Sequence, residues 1–81
     1  MSKEELKELI NTGHEIEFTY NGKKYSITQG KINGKHVISF CEFYKETTEV
    51  DSFSELCDVT RDGITVLTMI MSITMDNIWV Y

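Results

Sequence analysis

The hydrophobic period of this chain changes several times, and the changes mark its elements. Leu6, Leu9 and Ile10 recur at i, i+3 and i+4, the apolar stripe of a helix over about residues 3–12. Ser2-Lys3-Glu4-Glu5 reads as a capping box, in which the Ser2 hydroxyl takes the third amide and Glu5 reaches back. Gly13 suits the position just past the helix end. Isolated helices this short are marginal in water, so burial of the stripe must hold it.

From His14 the period falls to two. Ile16, Phe18 and Tyr20 alternate with Glu15, Glu17 and Thr19, and Asn21-Gly22 follows. Asn-Gly between alternating runs is the strongest short hairpin signal, because both residues tolerate positive φ. A two-residue turn there pairs Tyr20 with Lys23, Phe18 with Tyr25 and Ile16 with Ile27. The last two pairs are apolar on apolar, which supports the register. Asn33-Gly34 predicts a second hairpin, pairing Gln29 with Ile38 and Ile27 with Phe40. The result is a three-stranded antiparallel meander. One face carries Ile16, Phe18, Tyr25, Ile27, Ile38 and Phe40, with His36 at its end. The other carries Glu17, Thr19, Lys24, Ser26, Thr28, Val37, Ser39 and Cys41, a face that antiparallel sheets can leave in water.

Residues 42–51 break the alternation and read as an acidic connection. Ser52-Phe53-Ser54-Glu55 is a further capping box, opening a helix with Phe53, Leu56 and Cys57 inward. Asp62-Gly63 reads as a turn and helix start. Beyond it two templates compete. Ile64, Leu67 and Met71 have helical spacing, whereas Ile64, Val66, Thr68 and Ile70 would line one face of a strand, and the β-branched residues favour the strand. The Asp-Gly start tips the reading to a helix over about 64–73, with Ile78 and Val80 alternating against Trp79 and Tyr81 in an extended tail. The predicted fold class is therefore α+β: an N-terminal helix, a three-stranded antiparallel meander, then one or two C-terminal helices packed on one sheet face.

Composition bounds what such a fold can do. Eighty-one residues, 41% hydrophobic and 26% charged, make one domain, 1–81, near the lower size limit for a self-sufficient core. That size leaves little room for a deep pocket and points away from an enzyme. No segment approaches the ~18 apolar residues of a membrane span, and the residues after Met1 do not read as a signal peptide. Cys41 and Cys57 are too few for a disulfide framework; they read as buried free thiols and point to the cytoplasm.

The net charge of −5 is unevenly placed. Residues 42–62 hold Glu42, Glu46, Glu49, Asp51, Glu55, Asp58 and Asp62 against Lys45 and Arg61, which accounts for the whole excess. Nucleic-acid backbones need a basic patch, so direct binding to them is disfavoured, and a basic protein partner is favoured. The acids are interleaved with Thr47, Thr48, Ser52 and Ser54, which also fits an ordinary solvated face. His14, His36, Cys41 and Cys57 are spaced unlike any zinc site and show no triad logic. The glycines are isolated, so there is no phosphate loop. No catalytic residue, metal or cofactor is expected. Phe43, Tyr44, Trp79 and Tyr81 could pack or anchor a partner, since Trp and Tyr serve both roles.

The segment Gly13-His14-Glu15-Ile16-Glu17-Phe18-Thr19-Tyr20-Asn21-Gly22-Lys23-Lys24-Tyr25-Ser26-Ile27 resembles one in small acidic proteins of Firmicutes and their phages. Phe53-Ser54-Glu55-Leu56 and Asp62-Gly63 resemble their later helix and turn. The arrangement of elements is also similar to small type II-A anti-CRISPR proteins. That resemblance implies a phage-type inhibitor that docks carboxylates into a basic, nucleic-acid-binding surface of a host defence protein such as a CRISPR effector. The expected partner-binding residues are Glu42, Tyr44, Glu46, Glu49, Asp51, Glu55, Asp58 and Trp79. The alternative is a non-enzymatic accessory or homodimerising module that binds through its open sheet face or through Met69, Met71, Met75 and Trp79.

Overall fold

Turn chemistry sets the frame. In a computed structural model, which describes all 81 residues, Asn21 and Gly22 have φ of 52° and 78°, the doubly positive pattern that lets a two-residue turn follow the strand twist. They join β1 (Ile16–Tyr20) to β2 (Lys23–Ile32) in the expected register, with Phe18 opposite Tyr25 and Ile16 opposite Ile27. The Asn33-Gly34 turn leads to β3 (Lys35–Glu42), with Ile27 opposite Phe40 and Gln29 opposite Ile38, again as expected.

The sheet has five strands, not three, and all its pairings are antiparallel. β4 (Thr47–Val50) lies inside the stretch expected to be only an acidic connection. Thr48 and Val50 fall opposite Phe40 and Ile38, while Glu49 faces the other way. This weak alternation was masked by neighbouring charge, and tertiary pairing completes it. β7 (Ile78–Val80) adds the second extra strand by pairing with β1, Ile78 opposite Phe18 and Val80 opposite Ile16. The order across the sheet is β4-β3-β2-β1-β7.

Helices cover one face. α1 (Lys3–Asn11) starts in the anticipated capping box, with Ser2 Oγ accepting from the Glu5 amide at 3.1 Å and Glu5 Oε1 accepting from the Ser2 amide at 3.0 Å. α2 (Phe53–Asp58) is capped by Ser52, whose Oγ accepts from the Glu55 amide. Asp62-Gly63 does not begin a helix. Its φ values of 54° and 78° make it a third hairpin turn, between β5 (Thr60–Arg61) and β6 (Ile64–Thr65). The helix starts later than expected, as α3 (Val66–Ser72), with Thr65 as N-cap. Both competing templates were thus partly right: residues 64 and 65 form a strand and 66–72 a helix. A single 3₁₀ turn, Met75–Asn77, then leads into β7.

The inner face is the predicted one. Ile16, Phe18, Tyr25, Ile27, Ile38 and Phe40 are all buried, beneath Leu6 and Ile10 of α1, Leu56 of α2 and Val66, Met69 and Ile70 of α3. Phe18, Tyr25 and Phe40 stack in a row across three strands, with centroids 5.3 Å apart for Phe18–Tyr25 and 5.4 Å for Tyr25–Phe40. Offset stacking of this kind adds to the area these rings bury. Met69 is thereby removed from any surface role, whereas Met71 and Met75 are exposed. The outer face carries no helix. Val37 departs from the expected wet face by being buried there. Cys57 is buried and Cys41 half-buried, both free thiols. No helix is long and apolar enough to cross a membrane.

Candidate functional site

Three turns meet at one end of the sheet. The Asn21-Gly22 tip, the β3–β4 turn and the Asp62-Gly63 tip share it because the second hairpin's register carries Glu42 opposite Tyr25. The Phe43 amide donates to the Lys24 carbonyl at 2.9 Å, continuing the ladder into the turn. Lys23 Nζ then reaches Asp62 Oδ2 at 3.1 Å, tying the first tip to the last. The hydrogen bond and charge of Asp62 hold the Lys23 ammonium above the ordinary lysine range.

All three surface clefts of the molecule border this end. A cleft of about 300 Å³ lies among Glu17, Lys24, Phe43, Trp79 and Tyr81. A second, of about 440 Å³, joins Gly22, Lys23 and Lys24 to Glu42, Phe43 and Tyr44. A third, of about 470 Å³, is wholly polar, lined by Glu42, Lys45, Glu46, Thr47, Thr48 and Arg61. Phe43 and Lys24 belong to the first two, and Glu42 to the last two, so the clefts are contiguous.

Tyr44 lines the second of them. The Lys45 amide donates to the Glu42 carbonyl at 2.9 Å and closes a four-residue turn, with Tyr44 at its third position and φ of 68°. That position ordinarily takes Gly or Asn, since a Cβ there crowds the following carbonyl. Tyr44 is 100% exposed, and its ring meets Phe43 edge-on at 6.2 Å between centroids. The backbone thus holds the least sheltered aromatic of the chain in a conformation that costs about 1–2 kcal/mol for an L-residue.

Arg61, the only arginine, anchors the opposite wall. Its guanidinium sits 5.0 Å over the Phe40 ring, and it donates to Thr48 Oγ1 at 2.7 Å and the Thr60 carbonyl at 2.8 Å. The planar fork can stack and donate at once, which an ammonium cannot.

This geometry gathers some of the expected contact residues and scatters others. Glu42, Tyr44 and Glu46 lie together, with Trp79 reached across the first cleft. Asp51 is at the far end of the sheet, bound to Lys35 beside the second turn at 3.0 Å. Glu49 points from β4 to the outer face opposite Ser39. Glu55 sits in the first turn of α2 and accepts from Ser52 Oγ at 3.3 Å, and Asp58 ends that helix. The acidic stretch is therefore not one acidic surface. At the turn end Glu17, Glu42, Glu46 and Asp62 are balanced by Lys23, Lys24, Lys45 and Arg61, and of these cations only Lys45 and Arg61 lie in the acidic stretch. Lys23 and Lys24 were not singled out for this site from the sequence, and Phe43 and Tyr81 only as aromatics that could either pack or anchor a partner. Extending the second hairpin's register three pairs beyond Ile27–Phe40 would have placed Phe43 beside Lys24.

The remaining reactive side chains lie elsewhere. His36 and Cys41 occupy opposite faces of β3, five residues apart, and form no dyad. His14 Nδ1 is bonded to Thr12 Oγ1 and His36 Nε2 to Gln29 Oε1, both at 2.8 Å. No three His, Cys, Asp or Glu residues approach closely enough to hold a metal ion. No protein-family model, curated protein or solved structure matches the chain.

Proposed function

We propose that this chain is a small protein-binding module that acts by occupying a partner's surface, with the turn end as its contact and Tyr44 as the anchor. The observation that carries the reading is Tyr44 itself. A small domain has little stability to spare, yet here it keeps a bulky ring in water on left-handed backbone. Backbone outliers of this kind concentrate at functional sites. Tyrosine and arginine are the residues enriched among binding hot spots, and the Phe43 contact limits the entropy Tyr44 would lose on docking.

The charge pattern favours a partner of mixed polarity over the wholly basic groove that the acidic stretch suggested. Lys23, Lys24 and Glu42 line the cleft that holds Tyr44, and Lys45, Arg61, Glu46, Asp62 and Glu17 lie at the same end, a mixture of signs that fixes orientation and partner choice more than raw affinity. An inhibitor of a host nucleic-acid enzyme remains compatible with this module, provided its docking surface is not uniformly positive.

Affinity capture from cells of the source organism tests the reading with three baits: the parent chain, Tyr44→Asn, and the triple reversal Glu49→Lys, Glu55→Lys, Asp58→Lys. A partner retained by the parent and the triple variant but lost with Tyr44→Asn supports the turn end. Loss only with the triple variant would return the contact to the scattered carboxylates.

A further inference from the structure

The first cleft, about 300 Å³ among Glu17, Lys24, Phe43, Trp79 and Tyr81, lies on the sheet face that no helix covers. Cross-strand register builds it. Trp79 stands directly opposite Glu17, a pairing that sets their Cβ atoms about 4.5–5.5 Å apart. Lys24 is opposite Thr19, one row along the sheet, and the Phe43 amide donates to the Lys24 carbonyl. Tyr81 and Glu15 exchange a reciprocal pair of main-chain hydrogen bonds one row in the other direction.

Two features of this cleft call for the same ligand charge. The chain's ion pairs are Lys23–Asp62 and Lys35–Asp51, and Glu17 belongs to neither. Glu17 is nevertheless half-buried, so its carboxylate has given up part of its water without gaining an ion pair. Glu15 adds a second carboxylate beside Tyr81. Phe43, Trp79 and Tyr81 wall the same space, and the faces of aromatic rings attract cations, tryptophan most strongly. Lys24 is the one cation lining the cleft, one row from Glu17 and on the neighbouring strand.

We infer that this cleft receives an arginine side chain from an extended segment of the partner, with an acidic residue two positions along that segment meeting Lys24. A guanidinium can lie flat on Trp79 while its edge donates two parallel hydrogen bonds to Glu17, which an ammonium cannot. The chain's own Arg61 already combines ring stacking on Phe40 with hydrogen bonding to Thr48 in this way. The acidic neighbour follows from spacing. Alternate side chains of an extended segment lie about 6.6 Å apart, the same step that separates the Glu17 and Lys24 rows. An arginine alone meets repulsion from Lys24, and an arginine with that neighbour does not. The inference rests on the turn end being a protein contact and names the chemistry that one of its clefts selects.

Trp79 is the only tryptophan, so its fluorescence and indole N–H resonance report this cleft alone. The probes are N-acetyl-arginine amide, its lysine counterpart, and the blocked peptides Ser-Arg-Ser-Asp-Ser and Ser-Asp-Ser-Arg-Ser, which present the charge pair in both directions. The arginine probe should shift the Trp79 signals saturably with a Kd of about millimolar order at low salt, and the lysine probe should bind more weakly. At least one peptide should bind more tightly than the single arginine. Glu17→Gln should weaken the arginine probe and that peptide about tenfold. Lys24→Gln should act with opposite signs, tightening the arginine probe and weakening the peptide. No saturable shift, equal binding of arginine and lysine, or a Lys24→Gln effect of the same sign on both ligands overturns the inference. Tyr44 does not line this cleft, so Tyr44→Asn should leave these titrations unchanged. Absent peptide binding in a chain that still captures its partner through Tyr44 rejects the arginine site and leaves the binding module standing. Peptide binding retained by a chain that captures no partner supports the arginine site and counts against the Tyr44 anchor.

Discussion

Lys23 Nζ and Asp62 Oδ2, 39 residues apart in the chain, meet at 3.1 Å and join the first hairpin tip to the last. Both side chains are largely exposed, so screening limits what the pair is worth. A double-mutant cycle with Lys23→Met and Asp62→Asn should give a coupling of about 0.2–1 kcal/mol that fades in molar salt. A larger, salt-independent coupling would mean that the tie is far better sheltered than its exposure implies.

Arg61 should matter more than this ion pair. Replacing it with lysine keeps the charge but loses the flat contact with Phe40 and the short bond to Thr48. We expect Arg61→Lys to cost about 1 kcal/mol, a fall in Tm of about 4–8 °C for a domain of this size. Thermal unfolding beside Lys45→Arg as a surface control checks it, and an unchanged Tm would show that the guanidinium only decorates the core.

The strain at Tyr44 is separable from its ring. Tyr44→Ala removes the ring and keeps an L-residue at φ of 68°, whereas Tyr44→Asn removes the ring and tolerates that φ. Urea unfolding should place the Asn variant about 0.5–1 kcal/mol above the Ala variant. Equal stabilities would leave no backbone cost at this position for binding to explain.

Stability should decline at alkaline pH. Burial raises the Cys57 thiol above its ordinary value of 9.0 and the Tyr25 phenol above 10.0, and the Asp62 hydrogen bond and charge raise Lys23 above 10.5. Each folded-state pKa lies above its unfolded value, so above about pH 9 the unfolded chain loses protons that the folded chain keeps. The stabilisation is complete below the unfolded values and is lost as pH rises through the folded ones. Denaturant midpoints should hold between pH 6 and 8 and fall from about pH 9, with the earliest part of the fall absent in Cys57→Ala. A midpoint that rises above pH 9 would reverse the sign.

What the sequence displayed best was local. Both Asn-Gly registers follow from apolar pairs that a one-residue slip would turn outward, and all six expected inner-face residues are buried. The first capping box is a short-range hydrogen-bond pattern, equally plain. Pairings made across long separations were hidden. β7 reaches β1 from more than 55 residues away, and nothing in Ile78-Trp79-Val80 names its partner. β4 was overlooked because its two inward residues sit among acids, and its alternation gains meaning only once Phe40 and Ile38 lie opposite. Asp62-Gly63 serves a hairpin or a helix start equally well in sequence, and pairing of Arg61 with Ile64 decides it. The site was half legible for the same reason. Tyr44 and Glu42 could be named, but the lysines that offset the acids come from the other hairpin.

A photo-crosslinking side chain exchanged for Tyr44 tests the central claim most directly, with the same group at Ile32, exposed beside the opposite turn, as the comparison. In cells of the source organism, position 44 should yield a discrete protein adduct that excess parent chain competes away, and position 32 should not. The same adducts from both positions, or an adduct from position 32 alone, would contradict the turn end as the contact surface.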